Sequence, residues 1–330
     1  MSEYQYYEFV ALDGPISDAG LRYAQGCSSR AEVSRTRWQN TYSYGDFRGS
    51  VDTLLKHYDA HFYLANWGTV RLGLAFPKGV VSREALKPYL QRSEHLEETL
   101  TFKEIGERCI VWWQRNEEGG SLWTEGDGLI DQLTGIRDEV MRGDHRALFL
   151  GWLAGFIPDE WQDSNDKATL MPPIPAGLNS LSPALEAFIE QFQVDPDALA
   201  VAAQLSSTDT PDRIPIAAVL EQLPVSEMRA LLGRVAENGG QGVMAELNRL
   251  TFPRVQSPVS QTMRCIDFAA KVVEARLITE KKEAEAAAAK RQHKAESRRQ
   301  HLASILRRAA SVWSGLDPLM DQKEKGFQGS

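Results

Sequence analysis

The sequence predicts an α+β protein, in which an N-terminal mixed α/β domain is followed by an all-helical region ending in a long charged helix. Strand-like and helix-like apolar patterns alternate over the first half of the chain, a proline-rich stretch follows, and a later stretch lacks both proline and glycine. These observations divide the chain into four segments. They are a mixed α/β domain (1–157), a proline-rich linker (158–181), a small helical domain (182–252), and a long basic alanine-rich helix with a tail (253–330).

The N-terminal domain is predicted from alternating strand and helix patterns. Residues 6–13 and 37–44 are strand-like, and Ser17 or Asp18 can cap a helix between them. Apolar residues recur every three or four positions over residues 51–65, which predicts an amphipathic helix. The complete unit is then a small sheet with helices on one face. The later patterns predict a strand, a helix, two strands and two helices, over residues 69–76, 82–90, 99–105, 108–114, 129–141 and 144–156.

Prolines mark the passage from the first domain to the helical region. The prolines of the 158–181 segment predict an extended linker crossing the surface. The pairs Ser182-Pro183 and Asp195-Pro196 each combine a capping residue with proline at the first helical position. We therefore expect helices to begin at residues 183 and 196.

The last segment has an unusual distribution of apolar residues. Residues 262–313 contain no proline or glycine, and alanine is the only apolar residue type between residues 280 and 300. At 1.5 Å per residue, one continuous helix here would be roughly 80 Å long. We expect both ends to pack against other parts of the protein and the middle to be exposed. Such an element can act as a spacer or can bind a partner. The apolar positions that predict the anchors are Ile266, Ala269, Val273 and Leu277 at one end and Leu302, Ile305, Leu306, Ala309 and Trp313 at the other.

Bulk composition excludes several classes of protein. The 330 residues are 42% apolar and 25% charged, which is ordinary for a globular protein. The acidic N-terminus lacks the features of a secretory signal, and no run of eighteen apolar residues predicts a membrane helix. The three cysteines, Cys27, Cys109 and Cys265, are far apart and odd in number. We therefore expect a cytoplasmic protein away from membranes, with no cofactor and no metal.

Charge is distributed unevenly along the chain. Between Arg264 and Arg308, twelve lysines and arginines face six acidic residues, which gives this window a charge of +6. The whole chain carries −8, so the remainder carries −14. A basic helix joined to an acidic body can bind nucleic acid or acidic protein surfaces.

Two histidines four residues apart suggest one possible metal site. On the predicted 51–65 helix, His57 and His61 would reach a shared ion, with Asp59 between them. The metalloprotease pattern needs glutamate directly after the first histidine, where this chain has Tyr58. A half-buried structural His61 explains the pattern better, so no metal or catalytic residue is predicted.

The same segment and the turn after it are dense in hydrogen-bonding side chains. If the N-terminal domain binds a small ligand, we expect the ligand there. The candidate residues are Tyr58, Asp59, His61, Tyr63, Asn66 and Trp67. The adjacent pair Trp112-Trp113 could stack a base, but neighbouring strand residues face opposite ways, so one tryptophan is predicted in the core and the other under a helix.

The basic section of the last helix admits three interpretations. Interspersed glutamates and ion pairs such as Asp267–Lys271 favour a solvated spacer or a coiled-coil-like partner helix. Nucleic-acid binding is the second, because each lysine or arginine can neutralise a phosphate. Membrane-surface binding is the third and weakest, since alanine stands where leucine or an aromatic residue is needed. The candidate nucleic-acid contacts are Lys281, Lys282, Lys290, Arg291, Lys294, Arg298, Arg299, Arg307 and Arg308.

Several segments resemble an uncharacterised bacterial protein family. They are residues 8–15 (EFVALDGP), 28–31 (SSRA), 44–49 (YGDFRG), 58–69 (YDAHFYLANWGT) and 173–178 (PIPAGL). The family has no assigned activity, cofactor or catalytic residue, so the resemblance implies a bacterial cytoplasmic origin and no particular chemistry. Its members continue into a further helical segment, which implies that this chain is a shortened form.

The favoured function is therefore non-enzymatic. We expect a scaffold or adaptor of the bacterial cytoplasm, whose long helix and acidic body hold partner proteins. The alternative is an accessory factor in genome maintenance or phage defence that contacts DNA or RNA through the basic helix. A hydrolase or metal enzyme using His57, Asp59 and His61 is the third hypothesis. The sequence predicts no particular oligomeric state.

Overall fold

A computed structural model describes most of the chain and confirms the mixed α+β class. The described residues are 3–91, 96–116, 125–162, 164–208, 216–238, 243 and 263–327. By internal contacts the chain separates into two compact units, Met1–Val273 and Glu274–Ser330. The four segments predicted above remain a prediction, and these two units are used from here on.

The first unit is built on an antiparallel sheet of seven strands in the order β2-β3-β1-β4-β5-β7-β6. Its centre is β1 and β4, and every residue of both strands is buried. Strands at the centre of a sheet with both faces covered are expected to be buried in this way. The strands are β1 (Gln5–Val10), β2 (Glu32–Val33), β3 (Arg37–Tyr42), β4 (Ala60–Ala65), β5 (Thr69–Pro77), β6 (Leu100–Ile105) and β7 (Arg108–Asn116).

The helices of the described residues are mostly short, except for the last. In chain order they are α1 (Asp18–Cys27), α2 (Val51–Leu54), α3 (Arg83–Leu86), α4 (Leu129–Leu133), α5 (Gly135–Met141), α6 (Arg146–Ala154), α7 (Pro158–Gln162), α8 (Pro183–Phe192), α9 (Pro196–Leu205), α10 (Ile216–Gln222), α11 (Val225–Asn238) and α12 (Cys265–Phe327).

Helices cover both faces of the sheet, so the predicted single helical layer is wrong. On one face, α1 and α2 pack over an apolar cluster that contains Phe9, Trp38 and Ile110, and the Trp38 indole donates to the Ala24 carbonyl. On the other face, the indole of Trp113 donates to the carbonyl of Ala147 in α6. Two layers were missed because the apolar patterns of α4–α6 do not specify which face of a sheet they cover.

The predicted helix over residues 51–65 is also wrong, because α2 ends at Leu54 and β4 begins at Ala60. In residues 51–65, an apolar spacing of three and four residues indicates one face of a helix. A strand buried on both sides is apolar at nearly every position, so it also satisfies that spacing. Ser50 does cap α2 as a helix start, accepting from the backbone N–H of Thr53.

Several other expectations are confirmed. The side chains of Val70, Leu72, Leu74 and Phe76 in β5 are all buried, as their alternation predicts. Ser17 caps α1 by accepting from the backbone N–H of Gly20.

The two proline-led helices begin as predicted. Ser182 caps α8 by accepting from the backbone N–H of Leu185. Asp195 caps α9 by accepting from the backbone N–H groups of Asp197 and Ala198. Residues 209–215, 239–242 and 244–262 lie outside the described residues, so the predicted small helical domain is described only in part.

The proline-rich segment packs into the first unit instead of crossing its surface as an exposed linker. It begins with α7, and Trp161 is fully buried. Further along, Met171, Ile174 and Leu178 are buried as well. The backbone N–H of Met171 bonds to the carbonyl of Met263, just before α12. These contacts place the segment within the folded unit.

A pair of glycine substitutions tests the packing of this unit. A β-carbon on Gly73 would lie 2.7 Å from the ring of Trp112, so Gly73→Ala is expected to lower the free energy of unfolding by about 1–3 kcal/mol. Gly26, in α1, has open space, and Gly26→Ala is expected to raise it by roughly 0.5–1 kcal/mol. Urea unfolding of both variants measures the two effects, and a shift of both midpoints in the same direction would contradict this packing.

Candidate functional site

The predicted ligand residues do not form one surface. Tyr58, His61 and Tyr63 point into the layer shared with α1 and α2, whereas the carboxylate of Asp59 joins a group of arginines. Asn66 lies in the turn after β4, where its Oδ1 accepts from the backbone N–H of Tyr4. The next turn residue, Trp67, is 44% exposed. The six residues therefore occupy three separate environments.

Asp59 is the acceptor at the centre of a buried ionic network. Its Oδ2 accepts hydrogen bonds from the backbone N–H groups of Leu12 (2.6 Å) and Asp13 (2.9 Å). Its Oδ1 lies 2.9 Å from Nη1 of Arg108 and 3.8 Å from Nη2 of Arg137, both in ionic contact. The side chain of Asp59 is 1% exposed, so these partners replace water entirely.

Arg137, from α5, holds the other half of the network. Its Nη1 and Nη2 donate to the two carboxylate oxygens of Asp13 at 2.8 and 2.5 Å, and its Nε donates to the carbonyl of Ala75 at 2.8 Å. Burial acts to lower the pKa of Arg137, but the hydrogen bond to Asp13 and the charges of Asp59 and Asp13 raise it overall. Two carboxylates and two guanidinium groups balance in charge, and arginine does not exchange its proton near neutral pH. The network therefore fixes the fold and is not suited to acid–base chemistry.

His61 is a structural residue in this environment. Its ring stacks on Phe9 at 4.1 Å between centroids, and its Nδ1 lies 2.9 Å from the carbonyl oxygen of Glu8. Burial lowers the pKa of His61 to about 3, against the opposing effect of that hydrogen bond. The imidazole is therefore neutral at physiological pH, with Nδ1 carrying the proton it donates to Glu8.

The histidine pair of the metal hypothesis does not exist as a helical pair. His57 follows α2 and packs against Gly20 of α1, where a β-carbon would lie 2.8 Å from the imidazole. His61 lies on β4 and faces Phe9 and Trp112. Among the described residues, no group of three histidine, cysteine or acidic side chains is placed to hold a metal ion. The helical spacing behind the third functional hypothesis is wrong, and that hypothesis loses its geometric basis.

Tyr63 belongs to a polar row that crosses the sheet. The strand registers place five polar side chains side by side on β3, β1, β4, β5 and β7, namely Asn40, Tyr7, Tyr63, Arg71 and Gln114. The hydroxyl of Tyr63 donates to Oε1 of Gln5, and that of Tyr7 donates to Asp46 at 2.9 Å. Burial raises the pKa of Tyr63 to about 12, so this hydroxyl stays a donor.

The inner positions of this row are already hydrogen-bonded. Arg71 is the exposed member, and its guanidinium carbon lies 5.7 Å from the centre of the Tyr63 ring. This guanidinium can attract an anion, but the other four side chains already bond to residues outside the row. Asn40 bonds to Ser28, Tyr7 to Asp46, Tyr63 to Gln5 and Gln114 to the carbonyl of Glu98. We therefore treat the row as part of the sheet's own packing.

A second buried polar group was missed by the sequence analysis. Glu8 is fully buried, accepts a hydrogen bond from the Tyr6 hydroxyl at 2.8 Å and pairs with Arg37, which also reaches Asp131. Burial raises the pKa of Glu8. The alternating strand pattern predicts an exposed Glu8, because its neighbours Tyr7 and Phe9 are apolar and charged residues are seldom fully buried.

The tryptophan pair of β7 divides between the two faces as predicted. Trp113 is fully buried under α6, and Gly151 of that helix lies against its ring. Trp112 lies over Gly73 on the opposite face, with its ring edge-on to His61. Both rings are used in packing, so neither offers a stacking platform for a nucleic-acid base.

Helix α12 carries both exposed basic and exposed apolar side chains. Its first residues are anchored, since Cys265, Phe268, Ala269 and Val272 are fully buried. The predicted anchor is confirmed only in part: Ala269 is buried and Ile266 and Val273 are half-buried, but Leu277 is 62% exposed. The nine basic candidates, Lys281, Lys282, Lys290, Arg291, Lys294, Arg298, Arg299, Arg307 and Arg308, are all exposed.

The predicted anchor at the far end of α12 is wrong, because its large apolar residues are exposed. The amphipathic pattern was correct, but a pattern of this kind does not show what covers the apolar face. The exposed fractions there are Leu302 51%, Ile305 48%, Leu306 69% and Val312 61%. The burial of Trp313, also predicted in this anchor, lies outside the description.

Comparisons with known proteins give this site no precedent: no protein-family model, curated protein or solved structure matches the chain. Among the described residues, no helix combines the length and the apolar content that crossing a bilayer requires. The functional argument therefore rests on the surfaces of the molecule itself.

Proposed function

We propose that this chain is a non-enzymatic scaffold or adaptor of the bacterial cytoplasm that binds partner proteins through α12. In this proposal the α+β unit is followed by an all-helical region that ends in the long charged helix. The acidic first unit adds a second, oppositely charged surface for partners.

The observation that carries the proposal is the exposure of large apolar residues on α12. Leu302, Ile305 and Leu306 lie within little more than one helical turn, and each is about half exposed or more. Contiguous exposed apolar residues on a helix are typical of surfaces that bind other proteins. Arginine, glutamine and alanine around them maintain helix propensity without a core to pack against.

Capture of partners from a bacterial lysate tests this proposal. The tagged chain is expected to retain at least one protein at stoichiometric level, and the variant Leu302→Glu, Ile305→Glu, Leu306→Glu is expected to lose it. The matched control is Ala286→Glu, Ala287→Glu, Ala289→Glu, which adds the same three negative charges on other exposed positions. Equal loss in both variants, or no stoichiometric partner at all, would contradict the proposal.

A second candidate function is contact with DNA or RNA, as an accessory factor in genome maintenance or phage defence. It is favoured by the exposure of all nine basic candidates on one helix. Binding to mixed-sequence DNA and RNA at low and physiological salt tests it, since phosphate contacts weaken steeply with salt. This function requires that charge reversal at Lys290, Arg291, Lys294, Arg298 and Arg299 abolishes the binding.

A further inference from the structure

The apolar and alanine positions of α12 are arranged symmetrically about the middle of its exposed part. Each helical residue advances about 100° around the axis, so Leu277, Ala288, Ala295 and Leu306 point within roughly 20° of one direction. We call these four residues the symmetric stripe. All four are exposed. The outer pair and the inner pair share one midpoint, between Arg291 and Gln292.

We infer that α12 pairs with the α12 of a second copy of this chain, antiparallel, through the symmetric stripe. This inference rests on the proposed function, because it names the second copy as a protein partner of the same helix. A two-fold axis at the stripe midpoint places Leu277 of one copy against Leu306 of the other, and Ala288 against Ala295. A symmetric dimer needs such a self-complementary surface.

Small residues at the centre and leucines at the ends suit this pairing. Alanine lets two helix backbones approach closely, and the leucines then close each end of the contact. The stripe spans thirty residues, or about 45 Å at 1.5 Å per residue. A helix of this length is about twice the 12–15 residues below which an isolated helix is only marginally stable in water.

Charge selects the antiparallel arrangement over the parallel one. Residues 274–289 contain four acidic and three basic side chains, whereas residues 290–309 contain seven basic and one acidic. Antiparallel pairing sets the first stretch beside the second, so that Glu285 of one copy lies near Arg299 of the other, on the same flank of the stripe. Parallel pairing would set the seven basic side chains against their own copies.

Like charges oppose the pairing at two places. Lys281 of one copy lies near Arg299 of the other, since both side chains point within about 30° of the stripe. Arg291 lies next to the two-fold axis, where it meets the same residue of the other copy. Its replacement by alanine removes this repulsion and adds a small residue to the centre. Arg291→Ala is therefore expected to lower the dimer dissociation constant by about threefold to tenfold.

Cysteine cross-linking of the full-length chain tests both the partner and its orientation. Under mild oxidation, Leu277→Cys combined with Leu306→Cys is expected to form a covalent dimer. Leu306→Cys alone is expected to form none, because its two copies lie about 43 Å apart in the antiparallel pair. The native thiols do not interfere, since Cys27, Cys109 and Cys265 are buried and burial raises the pKa of each.

Sedimentation equilibrium supplies the second readout. Glu285→Arg is expected to weaken dimerisation by about threefold to tenfold, because the two Glu285–Arg299 pairs of the dimer become repulsive, and adding Arg299→Glu is expected to restore it. A chain that sediments as a monomer up to about 100 µM would overturn the inference. So would a covalent dimer from Leu306→Cys alone, which indicates parallel pairing.

The two experiments distinguish failure of the inferred self-pairing from failure of the proposed scaffold function. The chain could be monomeric and still retain a lysate protein that the Leu302, Ile305 and Leu306 variant loses. That result overturns the self-pairing but still supports the scaffold function. An antiparallel covalent dimer that captures no other protein supports the self-pairing and removes the wider scaffold function.

Discussion

Replacing Arg137 with methionine is expected to lower the free energy of unfolding by about 3–5 kcal/mol. The guanidinium is 2% exposed and donates to both carboxylate oxygens of Asp13, with Asp59 3.8 Å away. Methionine fills the space but leaves Asp13 without its partner and Asp59 with Arg108 alone. An uncompensated buried charge is among the largest single-residue penalties in a folded protein. Urea unfolding monitored by tryptophan fluorescence measures the change.

Two further variants separate the charge effect from loss of packing. Adding Asp13→Asn to Arg137→Met is expected to recover part of the loss, because the orphaned carboxylate is removed as well. Arg22→Met on α1 is the control, since Arg22 is exposed and its replacement is expected to change stability by less than about 0.5 kcal/mol. A loss below about 1 kcal/mol for Arg137→Met would show that the network is not what secures α5 to the sheet.

Acid is expected to destabilise the first unit through His61. The folded-state pKa of about 3 lies below the unfolded value of about 6.5, so between these pH values the unfolded chain binds the additional proton. Stability from this residue is complete above pH 6.5 and falls as the pH falls toward 3. At pH 4.5 the loss is about 2.7 kcal/mol, from two pH units at about 1.36 kcal/mol each.

The variant His61→Phe isolates this contribution. Phenylalanine keeps the contacts with Phe9 and Trp112 but loses the hydrogen bond to Glu8, so it is expected to be about 1 kcal/mol less stable at pH 7. Between pH 7 and 4.5, its stability should then fall less than that of the wild type by the amount attributed to His61. Burial raises the pKa of Glu8, which has the opposite pH dependence, but Glu8 is present in both proteins and cancels in the difference. Parallel stability profiles would show that His61 is not held neutral.

Local signals in the sequence predicted much of the first unit. The alternation of β5 predicted the burial of Val70, Leu72, Leu74 and Phe76, and capping residues predicted the starts of α1, α8 and α9. These features depend on residues within a few positions of one another. Sequence patterns report interactions at that range directly.

The error at residues 51–65 shows where such patterns lose information. A strand at the centre of a sheet, covered on both faces, has no polar side to reveal its period of two. In the predicted helix, Asp59 lies on the polar face and His61 is half-buried at the edge of the apolar face. In the structure both are buried: two backbone amides donate to Asp59, two arginines lie in ionic contact with it, and His61 bonds to the carbonyl of Glu8.

The ionic network could not have been predicted from spacing. Asp13 and Arg137 are separated by 124 residues, and the two arginines come from different elements, β7 and α5. Only the order of strands in the sheet brings them to Asp59. In contrast, the unusual composition of α12 was visible in the sequence, whereas the exposure of its apolar residues required the structure.

Capture from a nuclease-treated lysate distinguishes protein binding by α12 from contact through nucleic acid. The tagged full-length chain is incubated with bacterial lysate at physiological salt, with and without nuclease, and the mass of the eluted complex is measured. The account predicts a stoichiometric protein partner that survives nuclease and is lost with Leu302→Glu, Ile305→Glu, Leu306→Glu. Release of all bound protein by nuclease would contradict it and make α12 a nucleic-acid element.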